Sequence, residues 1–197
     1  MDTSVRKEIA AAAAMLIADG GLDYGSAKQR AARDVLGDSR PPRGALPDND
    51  EVDAALREHL RLFDDDHEAR LARLREAALS LMREMNAFSP LVTGAAWKGI
   101  ATEHALIHLQ VFHDNGKEVP YFLLNRRLDF DTVTAPDYRS GEDVEAYTFL
   151  WQDQPVLVSV YGSDDLRGAL RPSRGVTQRG DREALRQLMD ATPSEAA

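Results

Sequence analysis

The chain is expected to be an α+β protein: a helical N-terminal region followed by a small mixed or antiparallel sheet with a C-terminal helix. Three observations predict this. Apolar residues recur at helical spacing up to about residue 88. After Pro90, short runs rich in Val, Ile, Leu, Phe and Tyr, bounded by turn residues, take over. A final helical segment then covers about Arg182 to Asp190. The expected division is a helical region over 1–88 and an α+β domain over 89–197. A length of 197 residues accommodates both.

The elements follow in order. A first helix over about Ser4 to Ala18 carries a narrow stripe of Ala10, Ala13, Ala14 and Ile17 and stops at Gly20-Gly21. A second over Ser26 to Leu36 ends before Gly37, the usual C-terminal stop. Asp38 to Leu46, with Pro41-Pro42 and Gly44, reads as a loop. Asp48 and Glu51 have capping-box spacing ahead of Val52, Leu56, His59, Leu60 and Phe63. A helix from His67 to Asn86 sets Leu71, Leu74, Ala78, Leu81, Met82 and Met85 on one side. Strands are expected over Ala105 to His113, Val119 to Asn125, Val144 to Trp151 and Val156 to Tyr161. Asp114-Asn115-Gly116-Lys117 reads as a hairpin turn, because Asn-Gly readily adopts positive φ, and Gln152 to Pro155 reads as another. Ser163-Asp164-Asp165 reads as the cap of a short helix holding Leu166 and Leu170, and Thr192 to Ala197 as a frayed tail.

Composition narrows the function classes. Hydrophobic content of 43% with 29% charged residues is that of a globular domain. The absence of cysteine excludes disulfides, thiolate metal sites and cysteine nucleophiles. The Ala10 to Ala14 run is flanked by Glu8 and Asp19, which suits a cytoplasmic helix rather than a signal peptide. No apolar run approaches the ~18 residues a membrane span requires. A formal net charge of −9 opposes broad nucleic-acid binding. Arg70, Arg73, Arg75 and Arg83 are the best basic face, but acidic residues interleave them, so a solvated helix surface is the simpler reading.

The segment from Leu91 to Phe112 is the most specific part of the chain. It reads as a short apolar strand, a turn bounded by Gly94 and Gly99, and a second apolar strand. This layout resembles the nucleotide-binding core of the minimal nucleotidyltransferases. In that family a Gly-Ser turn precedes Ser-Asp-Ile-Asp-Leu on a strand. Two aspartates at i and i+2 face the same way and share divalent ions that clamp a nucleoside triphosphate. Here Gly94 falls on the first glycine, Ala95 on the serine, Lys98 on a position often held by Arg, and Gly99 on the later glycine. Ala105-Leu106-Ile107-His108-Leu109 falls on the aspartate strand, so Leu106 and His108 replace the metal-binding pair. Val156 to Val160, the candidate strand for a third carboxylate, holds none, whereas Glu103, Asp129 and Asp131 lie nearby in sequence.

The resemblance implies a nucleotidyltransferase-like fold that has lost its standard two-metal site. An active form would take Mg²⁺ and a nucleoside triphosphate. A degenerate form would bind nucleotide through Gly94, Ala95, Lys98, Gly99 and His108, or act through a protein partner on the N-terminal helices. The spacing of the other candidate groups argues against chemistry. On a strand, His104 and His108 lie ~13 Å apart and His113 faces the other way, so no single ion joins them. Ser159, Ser163, Asp164 and Asp165 lack a Gly-x-Ser-x-Gly elbow. Trp97 and Trp151 suit core packing better than base stacking. A rival from another class is a DNA-binding regulator, because the first two helices resemble the opening of a tetracycline-repressor-type domain. Arg6, Lys7, Lys28 and Arg30 would then meet DNA, but acidic Asp48 to Asp53 occupies the place of a recognition helix.

Overall fold

The computed structural model describes residues 2–37, 44–172 and 176–191. Among these it forms eight α-helices and a six-stranded mixed sheet, which is the α+β class. The chain divides into two compact units, one of residues 1–71 with 99–105, the other of 72–98 with 106–197. Sequence character changes near residue 88, whereas the division by compactness falls inside a helix, at 71/72. No helix among the described residues is long and apolar enough to cross a membrane.

The first unit is built on α1 (Asp2–Gly20), α2 (Tyr24–Leu36) and α3 (Asn49–Phe63). Ile9, Ala13 and Ala14 of α1, Ala27 and Ala31 of α2, and Val52 and Leu56 of α3 are almost wholly buried. Alanines at these positions let α1 and α2 pack closely with little side-chain entropy to lose. The capping box is formed: the Asp48 side chain accepts from the Glu51 amide while Glu51 accepts from the Asp48 amide. Arg6 then fastens α1 to this corner, its Nε donating to Glu51 at 2.7 Å and its Nη1 to the Gly44 carbonyl at 2.9 Å. Buried Asp53 accepts a hydrogen bond from the Tyr24 hydroxyl, joining α2 to α3. Gly37 stops α2 at φ 68°. The expected loop residues Asp38 to Arg43, with Pro41-Pro42, lie outside the described residues. Gly21, at φ 62°, lies where a Cβ would meet the His104 ring at 2.9 Å, so both backbone and space demand glycine.

The second unit begins within α4 (His67–Glu84), whose Leu74, Ala78, Leu81 and Met82 are buried as the periodicity predicts. The expected helix end at Asn86 is instead a separate 3₁₀ turn over Asn86–Phe88. Then come β1 (Leu91–Thr93), α5 (Gly94–Lys98), β2 (Ile107–Phe112), α6 (Glu118–Asn125), β3 (Phe130–Pro136), β4 (Asp143–Trp151) and β5 (Gln154–Tyr161). A 3₁₀ turn (Ser163–Asp165), α7 (Leu166–Ala169), β6 (Arg179–Gly180) and α8 (Arg182–Asp190) complete it. The sheet order is β3-β4-β5-β2-β1-β6, with β2 and β5 parallel and every other neighbouring pair antiparallel.

Two expectations need correction. Val119 to Asn125 is a helix rather than a strand, so Asp114 to Lys117 leads into α6 instead of turning a hairpin. The Glu118 amide bonds the Asn115 carbonyl and the Val119 amide the Gly116 carbonyl, which winds the chain helically. Pro120 sits in the first helical turn, where its missing N–H is harmless; inside a strand it would break a ladder bond. Val119 and Leu123, four apart, are fully buried, while Tyr121 and Leu124 are 58% exposed, the helical period. Second, His104 lies in a turn before β2, so it shares no strand with His108. The hairpin expected over Gln152 to Pro155 is formed, with Gln152 and Asp153 at φ 50° and 61°, the two positive values of a type I′ turn. Strand β3 and the two-residue β6 were not expected from the sequence.

Gly180 on β6 fits under the Trp97 ring, and a Cβ there would come within 2.3 Å of it. Gly180→Ala is expected to destabilise the protein by about 1–3 kcal/mol, read as a lower urea midpoint. An unchanged midpoint would show that Trp97 yields freely. Tyr24→Phe leaves Asp53 buried without its hydroxyl donor and is expected to cost about 1–3 kcal/mol in the same assay.

Candidate functional site

The residues singled out by sequence meet at the β1–α5–β2 segment of the second unit. β1 ends at Thr93, and Gly94 turns the chain at φ 64° into the single-turn helix α5. Gly99 leaves that helix at φ 71°, the second left-handed position. Thr93 pairs with His108 across the antiparallel ladder, and a Cβ on Gly94 would touch the His108 Cβ at 3.6 Å. Gly94 and His108 are therefore neighbours. The expected turn between the glycines is helical. Ala95 and Lys98 lie on this helix, with Lys98 at its far end from Gly94.

α5 is held in place by its surroundings. The buried Arg75 donates from Nε to the Ala96 carbonyl at 2.9 Å, and the Trp97 indole N–H donates to the Thr177 carbonyl at 2.8 Å. Trp97 therefore anchors the chain ahead of β6, in keeping with a packing role. Of the four arginines read as a basic face, Arg75 is buried and Arg70 in the first unit bonds Asp64 and the Ala101 carbonyl, while Arg73 and Arg83 are exposed.

Strand alternation and register place a row of side chains on one face of the sheet. Asp131 pairs with Thr148, Thr148 with Leu157, Leu157 with His108, His108 with Thr93, and Thr93 with Arg179. Gln110 and Ser159 share this face. His108 Nε2 lies 3.1 Å from the Ser159 hydroxyl. Burial first, and the Arg179 charge second, push the imidazole down to about 4, so it is neutral at pH 7. Arg179 is half-buried, with its guanidinium 4.0 Å from the centre of the Tyr138 ring and Nη1 donating to the Ala169 carbonyl at 2.9 Å. Its Nε is buried without a partner, as is the side-chain oxygen of Gln110, a residue only 3% exposed. A buried donor and a buried acceptor without partners on one face are costly to the fold and call for an explanation.

Residue type and strand register bear on metal binding. Neither Leu106 nor His108 offers a carboxylate, and no group of three His, Asp or Glu side chains gathers to hold an ion among the described residues. Asp131 shares the face of His108 but stands three strand spacings away, roughly 14 Å. Asp129 and Asp131 are both exposed, and Glu103 belongs to the first unit. The set does not fit a two-metal centre. Sequence reasoning missed Arg179 and Gln110. A polar residue at every second place of the apolar run, His108 then Gln110, was the available signal.

The neutral state of His108 gives a pH signature. Its folded value lies below the ordinary 6.5, so as pH falls from about 6.5 to about 4 the unfolded chain takes up the proton first and stability declines. His108→Gln removes this contribution. The variant is expected to lose less stability than the parent between about pH 7 and about pH 4.5 in urea titrations, and equal losses would contradict the burial argument. No family model matches the chain, and neither does any curated protein or solved structure.

Proposed function

We propose that the second unit is a nucleotidyltransferase-like core that binds a nucleotide without two-metal catalysis. The carrying observation is the half-buried Arg179, whose Nε has no partner, on the face where Gly94 meets neutral His108. A guanidinium already stripped of much of its water is a strong partner for a phosphate, because charge-assisted bonds strengthen as the dielectric falls. The glycines at 94 and 99 leave backbone exposed for close approach, and Lys98 adds a second cation on α5. Part-exposed, neutral His108 supplies a polar contact at this face, its ring held by the buried Ser159 hydroxyl at 3.1 Å. A cytoplasmic setting, where nucleotides are abundant, suits this reading.

Catalysis by metal-held phosphoryl geometry has no support in the side chains present. Among the described residues, none on this face forms the paired carboxylates that would steer two ions. The role that remains is recognition. A DNA-binding role for the first unit finds less support, since Arg6 is bonded to Glu51 and Gly44 and Lys28 to Asn49. Those cations are spent inside the unit.

Isothermal titration of ATP, GTP, CTP and UTP tests the proposal. Saturable binding to at least one is expected, equal with Mg²⁺ and with EDTA, and weakened about tenfold or more by Arg179→Ala. Absence of binding to all four, or strict dependence on Mg²⁺, would overturn it.

A further inference from the structure

The first unit carries a feature that nucleotide binding leaves unused. An open groove of about 690 Å³ runs beside α1 and α3, floored by Leu60 and edged by Met15 and Phe63. Phe63 is 74% exposed and Met15 51%, and neighbouring Leu62 is 53% exposed. Large apolar side chains do not gather on a solvated surface without a use. The polar groups of the groove are of one sign: Asp19, Asp64 and Glu103, with His59 between them. Asp65 and Asp66, next in sequence to Asp64, are both exposed. Asp64 is held by Arg70 at 2.7 Å, and Asp19 lies 3.9 Å from His59 Nε2 but stays largely exposed, as does Glu103. Among the described residues, no Lys or Arg lines the groove.

We infer that this groove docks a cationic amphipathic helix from a partner protein. Apolar floor and acidic rim match a helix with an apolar row flanked by Lys or Arg, whose stems cover Phe63 and Met15 while their charges reach the carboxylates. A second copy of this chain is a poor occupant, because a two-fold contact would set Asp19 and Glu103 against their own images. A small ligand is a poorer one too: a ring that stands three-quarters exposed on the lip bounds an open trough, which takes a row of side chains rather than enclosing a molecule.

The test is fluorescence anisotropy on the full chain with three labelled peptides of about 16 residues. One has Leu at i, i+3, i+4 and i+7 with Lys elsewhere; the second replaces Lys by Glu; the third replaces Leu by Ser. Saturable binding of the Leu/Lys peptide is expected, with both others at least about tenfold weaker. Phe63→Ser and, separately, Met15→Ser should each weaken it severalfold with the circular dichroism unchanged, because both side chains are more than half exposed. Asp19→Asn with Glu103→Gln should flatten the salt dependence. Equal binding of the Lys/Ser peptide, or indifference to Phe63→Ser, would reduce the effect to diffuse attraction by an acidic protein and overturn the inference. So would failure of the Leu/Lys peptide to bind, binding of tetramethylammonium in its place, or a dimer that excludes it. Arg179→Ala should leave peptide binding intact, which separates this outcome from that of the nucleotide titrations.

Discussion

The parallel pairing of β2 with β5 sets the plan of the second unit. Two parallel neighbours cannot be joined by a tight turn; the chain must leave one end of the sheet and return to the other. Here the return is made by α6 and then by β3 and β4, which stack outward from β5 as an antiparallel run. That detour fixes which strand flanks β2 on its free side. β1 and then β6 fill the place, so the Gly94 turn and Arg179 arrive together at the opposite edge from β3. Had α6 been a strand in a hairpin with β2, β5 would have been displaced and Ser159 would not lie beside His108.

The same sheet divides its polar and apolar work by strand alternation. Ile107, Leu109, Val111, Val156 and Val158 are nearly inaccessible and form one face. His108, Gln110 and Ser159 are set between them and point to the other. Burying three polar side chains in a central strand pair opposes folding unless their bonds are made. His108 and Ser159 meet each other, and the imidazole stays neutral. Gln110 Oε1 and Arg179 Nε on this face are left unpartnered, as are the Trp151 indole N–H on β4 and both ring nitrogens of His67.

Much of the fold was legible because it is written locally. The Asp48–Glu51 box, the Gly37 stop, the stripe of α1 and the extent of α8 depend on residues a few positions apart. The failures were also physical. Val119 to Asn125 is apolar enough for a strand, and only Pro120 with the 119/123 spacing marks it as a helix. Strand β3 holds Thr132 and Thr134 on exposed positions of an edge strand, so no apolar alternation announces it. β6 is two residues long and exists only because β1 offers it a partner. Of the candidate site, Gly94 and His108 were singled out by the motif resemblance. Arg179 lies some seventy residues away, and no spacing rule could bring it to the same row.

The path of the chain between α5 and β2 has a further consequence. Residues 99–105 belong to the first unit, although the elements before and after them belong to the second. The boundary is therefore crossed three times, at 71/72, 98/99 and 105/106, and no single cut yields two complete pieces. During synthesis the helical unit must wait for residue 105, by which time β1 and α5 have already emerged. The His104 ring that fills the space at Gly21, and the Glu103 carboxylate of the groove, are thus the last parts of the first unit to be supplied. The two units are inherited together, and neither can be exchanged as a module by a simple crossover.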